Sequence, residues 1–247
     1  MTRIILCGCS GHMGKTISEL AANYDELQIV AGVDLKNDLS YNYPVYNDIT
    51  KIKEQADVLV DFSHPSLLKN ILDYCVFNSI AAVIATTGND EKNIEMINQA
   101  SKKIPVFFTY NMSLGINLLT ELIQKAQSVL GDKFDIEIIE KHHNQKIDAP
   151  SGTAIMLADA LNKNNEYTNV YDRHTTRKKR EKNEIGISSI RGGTIVGEHT
   201  VIFAGTDETI ELTHTAYSKK VFASGALKAA IWLCNQSFGL YSMKDLI

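Results

Sequence analysis

Apolar runs of strand length alternate with amphipathic stretches over the first half of this chain. Residues 3–7 are mostly apolar and bounded by glycine, the form of a parallel strand covered on both faces. A helical pattern carrying Ile17, Leu20 and Ala21 follows, then a second apolar run, residues 28–33, that ends in Asp34. Strands are expected over residues 56–62, 80–85 and 105–110, and helices over residues 65–78 and 91–103, the first of these opened by Pro65. This order predicts a parallel sheet with right-handed crossovers, whose ligands lie at the carboxyl ends of the strands. Asp34, Thr86, Thr87, Asn111 and Met112 fall at those ends.

Beyond Gly115 the period changes. A long helix is expected over residues 115–130, followed by residues 134–141, where Ile136, Ile138 and Glu140 alternate with Glu137, Ile139 and Lys141. Next come a helix over residues 153–161, a polar loop over residues 162–183, and strand-like runs at 185–190, 195–203 and 208–215. Strands without intervening helices point to an antiparallel or mixed sheet. A closing helix over residues 221–237 carries Ala226, Ala229, Ala230 and Leu233 at helical spacing. The fold class is α/β, a parallel sheet joined to an α+β part with a mixed open sheet.

At 247 residues the chain has room for two modest domains with their own cores. A formal net charge of -4 gives no global field for nucleic acid or an anionic membrane, so a small metabolite is the expected partner. The one strong basic cluster, Arg177-Lys178-Lys179-Arg180-Glu181-Lys182, has no interleaved aromatics and reads as a solvated loop face. Cys7, Cys9, Cys75 and Cys234 have neither disulfide-framework nor metal-ligand spacing and are expected to be reduced core thiols. The amino-terminal apolar run is too short for a signal peptide, and residues 80–85 fall far below a membrane span, so a cytoplasmic protein is expected.

Two stretches carry candidate chemistry. The turn Gly8-x-x-Gly11-x-x-Gly14 joins the first strand to the first helix, where glycine lets the backbone approach a pyrophosphate and the helix start supplies N–H groups. Alone it is equally well a tight turn; the strand before, the helix after and Asp34 twenty positions past Gly14 make it a Rossmann-type dinucleotide signal. The second stretch runs from Glu140 to Ala154. His142 can hold and release a proton near neutrality, Lys146 is a point cation for a carboxylate, and the Ser151-Gly152-Thr153 turn can aim helix-start N–H groups at an anion. These residues describe a site for a small dianionic acid that accepts a proton. Glu140, Asp148, His199 and His214 supply metal-ligand chemistry in principle, but a metal leaves the lysine and the turn without a role, so none is expected.

In these motifs, together with Asp61-Phe62-Ser63, Asn111-x-Ser113-x-Gly115-x-Asn117 and the segment from Arg191-Gly192-Gly193 to Thr200, the chain resembles the 4-hydroxy-tetrahydrodipicolinate reductase (dihydrodipicolinate reductase) family of lysine and diaminopimelate synthesis. The resemblance covers essentially the whole chain, and the stretch from Glu140 to Ala154 is its most specific part. It implies NAD(P)H-dependent reduction of a small dicarboxylate with His142 as general acid and Lys146 beside it. His143, Ser151, Gly152 and Thr153 match substrate contacts. The pyrophosphate turn would comprise Gly8, Cys9, Ser10, Gly11, His12, Met13 and Gly14, with Asp34 on the ribose. Ala85, Thr86 and Thr87 would lie near the nicotinamide ribose, and Thr109, Tyr110, Asn111 and Met112 beside the ring. It further implies a Rossmann dinucleotide domain of residues 1–113 and 221–247 and a substrate domain of residues 114–220 whose open sheet builds a homotetramer.

Three positions depart from the family pattern: Ala85 replaces a usual glycine, Met112 a frequent phenylalanine, and Leu35 a basic residue after the acid. The Asp34 carboxylate repels a 2′-phosphate, so NADH is expected to be preferred, with Lys36 offering NADPH a cation. Two other readings stay open. Another small-acid or semialdehyde dehydrogenase explains the first half but not the Glu140 to Ala154 stretch, and a non-catalytic nicotinamide-sensing module leaves His142 and Lys146 without work.

Overall fold

In β1 (Thr2–Cys7) Ile4 and Leu6 enter one hydrophobic layer while Ile5 and Cys7 enter another, as the period-two alternation of a strand covered on both faces requires. The computed structural model describes residues 1–35, 41–171, 173–174 and 177–247. A glycine turn leads from β1 into α1 (His12–Ala21), followed by β2 (Leu27–Val33), β3 (Val45–Tyr46), β4 (Val58–Asp61), α2 (Leu68–Asn78), β5 (Ala81–Ile84), α3 (Glu91–Ser101) and β6 (Pro105–Phe108). Then come α4 (Leu114–Leu130), β7 (Asp135–His142), α5 (Gly152–Leu161), β8 (Thr168–Val170), β9 (Glu184–Arg191), β10 (Gly197–Ala204) and β11 (Thr209–Ala216). The chain closes with α6 (Lys220–Leu233), β12 (Gly239–Tyr241) and α7 (Met243–Leu246).

The chain divides into two compact units, Met1–Leu114 with Lys219–Ile247, and Gly115–Ser218. In the first, seven strands lie in the order β12-β6-β5-β4-β1-β2-β3, every neighbouring pair parallel. The order reverses between β1 and β4, so the carboxyl end of β1, with its glycine turn, stands at the switch point where such sheets bind ligands. This is the Rossmann-type arrangement. α6 joins this unit from far along the sequence: Ala223, Ala226, Ala229, Ala230 and Leu233 pack against Ile4, Leu6, Val60 and Val83.

The second unit holds a five-stranded sheet in the order β11-β10-β7-β9-β8, in which β7, β8 and β9 pair in parallel and β10 runs antiparallel to both of its neighbours, β7 and β11. Ile136, Ile138, Ile185, Ile187, Val201 and Phe203 pack on one face against Ile116, Leu119 and Ile123 of α4 and Ala154, Leu157 and Ala158 of α5. Gln124 and Gln127 of α4 donate their side-chain amides to the last carbonyls of α5, Ala160 O at 3.0 Å and Leu161 O at 2.7 Å, groups a helix end cannot satisfy itself.

Three short strands and one helix depart from the sequence pattern. β3, β8 and β12 have two or three residues each and arise from pairing with β2, β9 and β6, a non-local cause that local periodicity does not carry. The closing helix ends at Leu233 rather than near 237, which frees the tail to add β12 and α7. Within the basic cluster, Arg180 is not a solvated side chain: its guanidinium donates to Glu137 Oε1 at 3.0 Å, Asp135 Oδ1 at 2.9 Å and the Ile136 carbonyl at 2.9 Å. It clamps the start of β7. Among the described residues all four cysteines are free thiols, Cys7, Cys9 and Cys75 buried and Cys234 partly so, and burial raises the pKa of each. No described helix is long and apolar enough to cross a membrane.

A close backbone approach fixes where α6 meets the sheet. A Cβ on Gly225 would lie 1.8 Å from the Met112 carbonyl oxygen, a backbone atom that cannot step aside alone, whereas one on Gly192 would meet nothing within 4 Å. Gly225→Ala is therefore expected to destabilise the protein by roughly 1–3 kcal/mol, and Gly192→Ala by less than about 0.5 kcal/mol. Urea denaturation midpoints compare them, and equal midpoints would refute the argument.

Candidate active site

The candidate centre of the second unit is built on the carboxyl end of β7. Period two turns Ile136, Ile138, Glu140 and His142 to the same buried face, so the apolar stripe ends in a carboxylate and an imidazole. The Glu140 side chain is fully buried. Arg191 at the end of β9 grips it with both ends of its guanidinium, Nη1 to Oε2 at 2.8 Å and Nη2 to Oε1 at 2.7 Å. Oε1 also accepts the Ser151 N–H at 3.1 Å, and Oε2 lies 2.6 Å from His142 Nδ1. Burial pushes the Glu140 pKa up, but hydrogen bonds from Arg191, Ser189 and His142 outweigh it and leave it lowered to about 2. An ionised Glu140 accepts and does not donate, so Nδ1 of His142 carries a proton and Nε2 is the nitrogen left for exchange. That nitrogen faces Gly197, where a Cβ would come within 3.1 Å of it.

His142 is itself buried. Desolvation lowers its pKa, Glu140 raises it, and the cations Lys146 and Arg191 lower it, with the net direction down. Beside it His199 of β10 stands edge-on, the ring centroids 5.1 Å apart, with Nε2 2.9 Å from Ser151 Oγ. Burial and the neighbouring His142 press the His199 pKa down to about 4, so this ring is neutral near pH 7.

The turn into α5 is organised by Ser151. Its hydroxyl caps the helix by accepting the Ala154 N–H at 3.2 Å, and its own N–H is held by Glu140. Ser151 is thus buried and engaged on every side, while Gly152 is exposed and Thr153 half-exposed at a helix start whose first N–H groups have no partner within the helix. His143 is half-buried, and the Lys146 ammonium sits 2.8 Å from Asp148 Oδ1. Of the four residues weighed as metal ligands, Glu140 is engaged by Arg191 and His142, His199 by Ser151 and Asp148 by Lys146, and His214 stands opposite His199 on β11. Among the described residues no group of three or more His, Cys, Asp or Glu is placed to hold a metal ion.

In the first unit the strand ends fit a dinucleotide. Gly8 has φ +77°, and a Cβ there would come 2.5 Å from the Phe62 carbonyl; one on Gly14 would come 2.2 Å from the Gly8 carbonyl. The α1 N-cap, Gly11, offers no side-chain cap, which leaves the helix start open to an anion. Asp34 accepts the Ser10 N–H at 2.9 Å, latching the turn to the end of β2. His12 is exposed and Met13 half-buried, but the Cys9 side chain is fully buried in the core, so Cys9 can offer a ligand only its main chain. Ala85 and Thr86 are buried and Thr87 is exposed; the Thr86 hydroxyl donates to Asp61 at 2.7 Å, and Asp61 also accepts from Ser63. Thr109 Oγ1 braces the Asn111 main chain, Tyr110 is exposed and Met112 is buried in the core. Lys36 lies outside the described residues.

Sequence reasoning gave no role to Arg191 or Asp61, weighed Glu140 and His199 only as metal ligands, and left all four out of the predicted site. A signal for Glu140 was present, a carboxylate on the apolar side of an alternating strand.

His199 and Glu140 contribute to the response of the second unit to acid, beside His142, whose pKa burial also lowers. His199 has a folded pKa of about 4 against an ordinary 6.5, so it contributes stability that is full above 6.5 and lost as pH falls toward 4. The loss is on the order of 3 kcal/mol. Glu140 extends the same slope from its ordinary 4.5 down to about 2. Denaturation midpoints at pH 7, 5.5 and 4 are expected to fall in the wild type and to flatten over the upper part of that range in His199→Gln. Parallel slopes for the two proteins would remove His199 from this role.

The family models for the dihydrodipicolinate reductase N-terminus and C-terminus match residues 2–112 and 115–247. A 4-hydroxy-tetrahydrodipicolinate reductase of Caldanaerobacter subterraneus subsp. tengcongensis is 51% identical over 251 residues, covering 100% of this chain and 98% of its own. That of Clostridium novyi is 49% identical over 248 residues, with the same coverage of 100% and 98%. Among solved structures, a dipicolinate-bound dihydrodipicolinate reductase from Paenisporosarcina sp. TG-14 superposes with a TM-score of 0.79 at 25% identity, covering 100% of both chains. With both halves matched in order, the chain belongs to the dihydrodipicolinate reductase family.

Proposed function

We propose that this protein catalyses the NAD(P)H-dependent reduction of 4-hydroxy-tetrahydrodipicolinate to tetrahydrodipicolinate, with loss of water, in diaminopimelate and lysine biosynthesis. The observation that carries the reading is His142, held at Nδ1 by a buried carboxylate with Lys146 close enough to lower its pKa. His142 supplies the proton from Nε2. Lys146 exchanges Asp148 for a substrate carboxylate, and Gly152 and Thr153 offer helix-start N–H groups to a carboxylate, with His143 beside them. Ser151 acts from behind by holding the turn.

The first unit is the dinucleotide domain, with Gly8, Ser10, Gly11, His12, Met13 and Gly14 and the Cys9 main chain around the pyrophosphate. Asp34 takes the ribose, Ala85, Thr86 and Thr87 the nicotinamide ribose, and Thr109, Tyr110, Asn111 and Met112 the region of the ring. Bound NAD(P)H supplies the hydride. Asp34 followed by the exposed Leu35 favours NADH over NADPH. The second unit is the substrate and tetramerisation domain: Ile139, Ile190 and Ile202 lie on the sheet face opposite the helices, an apolar set suited to other copies in a homotetramer. The protein acts in the cytoplasm.

The test is nicotinamide oxidation with substrate generated in place from pyruvate and aspartate semialdehyde by the preceding synthase. Oxidation that requires the synthase, faster with NADH, is expected. His142→Gln should lower kcat by about 10²–10⁴-fold with cofactor binding little changed, and Lys146→Ala should harm both kcat and substrate binding. Because the acid must be protonated and burial lowers its pKa, kcat/KM should decline as pH rises through a value below 6.5. Tight NADH binding without turnover would replace the reading with a sensing module, and near-normal turnover in His142→Gln would remove it as the acid.

A further inference from the structure

Glu140 touches neither surface nor solvent, yet its carboxylate meets the Arg191 fork, the Ser151 N–H and His142 Nδ1. Its two oxygens have different partners: Oε1 takes Arg191 Nη2 and the Ser151 N–H, while Oε2 takes Arg191 Nη1 and faces His142 Nδ1. A carboxylate can only accept here, which fixes the imidazole as the Nδ1–H form with Nε2 toward Gly197. We propose that Glu140 is a positioning residue for His142, setting its tautomer and ring orientation, and that the Arg191 fork holds Glu140 ionised and in place while it does so. The role rests on the reading of His142 as the proton donor.

The charges around the ring agree with this assignment. Glu140 faces it from its own strand, Arg191 from β9, Lys146 from the loop after β7 and His199 from β10, the last neutral near pH 7. Glu140 is the one anion among these four, so it alone stabilises the imidazolium against burial and two cations. A glutamine there reverses the geometry. Arg191 Nη2 and the Ser151 N–H would claim its oxygen at the Oε1 position, leaving the amide NH2 aimed at Nδ1, where it donates and drives the ring proton to Nε2.

The experiment reads tautomer and rate together. Long-range 1H–15N correlation on histidine-labelled protein at pH 8, with His142→Gln identifying the resonance, should show His142 as Nδ1–H in the wild type and shifted to Nε2–H in Glu140→Gln. In Glu140→Gln, kcat should fall on the order of 100-fold. KM for the nicotinamide should stay within about twofold, and the pH limb assigned to His142 should move to lower pH. The double variant Glu140→Gln with His142→Gln should be no slower than His142→Gln alone, because Glu140 acts through the ring. Losses that multiply in the double variant indicate a separate structural role and overturn the proposal. So does an Nε2–H resonance in the wild type, a measurement that stands even where Glu140→Gln fails to fold. A wild type that oxidises no nicotinamide yet shows Nδ1–H discards the reduction and keeps the positioning.

Discussion

A carboxylate removed from water remains charged only where fixed donors take the place of the solvent, and Glu140 sits where such donors converge. The Arg191 fork comes from β9, the Ser151 N–H from the start of α5 and the Nδ1 proton from His142 on the same strand. One buried charge therefore ties two strands and a helix start into a single cluster. If any donor moved, the charge would be left uncompensated, so the cluster is rigid for an energetic reason. That rigidity places the exchangeable nitrogen of His142 and the start of α5 in one fixed frame.

In the first unit acidic side chains also collect donors at the ends of the parallel strands, although for Asp61 burial outweighs the hydrogen bonds and raises the pKa. Asp61, fully buried at the end of β4, accepts from Ser63 and from Thr86 beyond β5, and Asp34 at the end of β2 holds the Ser10 N–H of the glycine turn. Loops leaving a sheet lose the ladder that satisfied their main chain, and short acidic side chains replace it. The glycine positions follow from crowding at the same place, since Gly8 and Gly14 lie against backbone carbonyls with no room for a side chain.

Much of this was legible in the sequence where the cause is local. β1, β2, β4, β5 and β6 appear as apolar runs because both faces are covered, and α5 announces itself through the Ser151 cap. β3, β8 and β12 do not, because each is two or three residues long and exists only through its pairing with β2, β9 or β6. Arg180 read as solvent-facing because nothing near it in sequence says that Asp135 and Glu137 stand opposite. The site divides the same way. His142 and Lys146 stand out by residue type, but Arg191 meets Glu140 only through the β7–β9 register, which sets His142 against Arg191 and Glu140 against Ser189.

The electrostatics of His142 connect the cluster to its chemistry. An isolated acid with a depressed pKa is mostly deprotonated at neutral pH, yet releases its proton readily when it has one. Here the depression comes from burial and from Lys146 and Arg191, and Glu140 opposes it. On the proposed reading a dianionic substrate alters that balance by bringing negative charge to Lys146, which cancels part of the cation's pressure on the ring. Occupancy and protonation are then coupled: the ring gains its proton as the anion arrives and holds it at the nitrogen turned away from Glu140. Arg191 cannot be neutralised in the same way, because both ends of its guanidinium are already committed to the buried carboxylate. The pair of cations thus divides the work, Lys146 answering to the ligand and Arg191 to the fold.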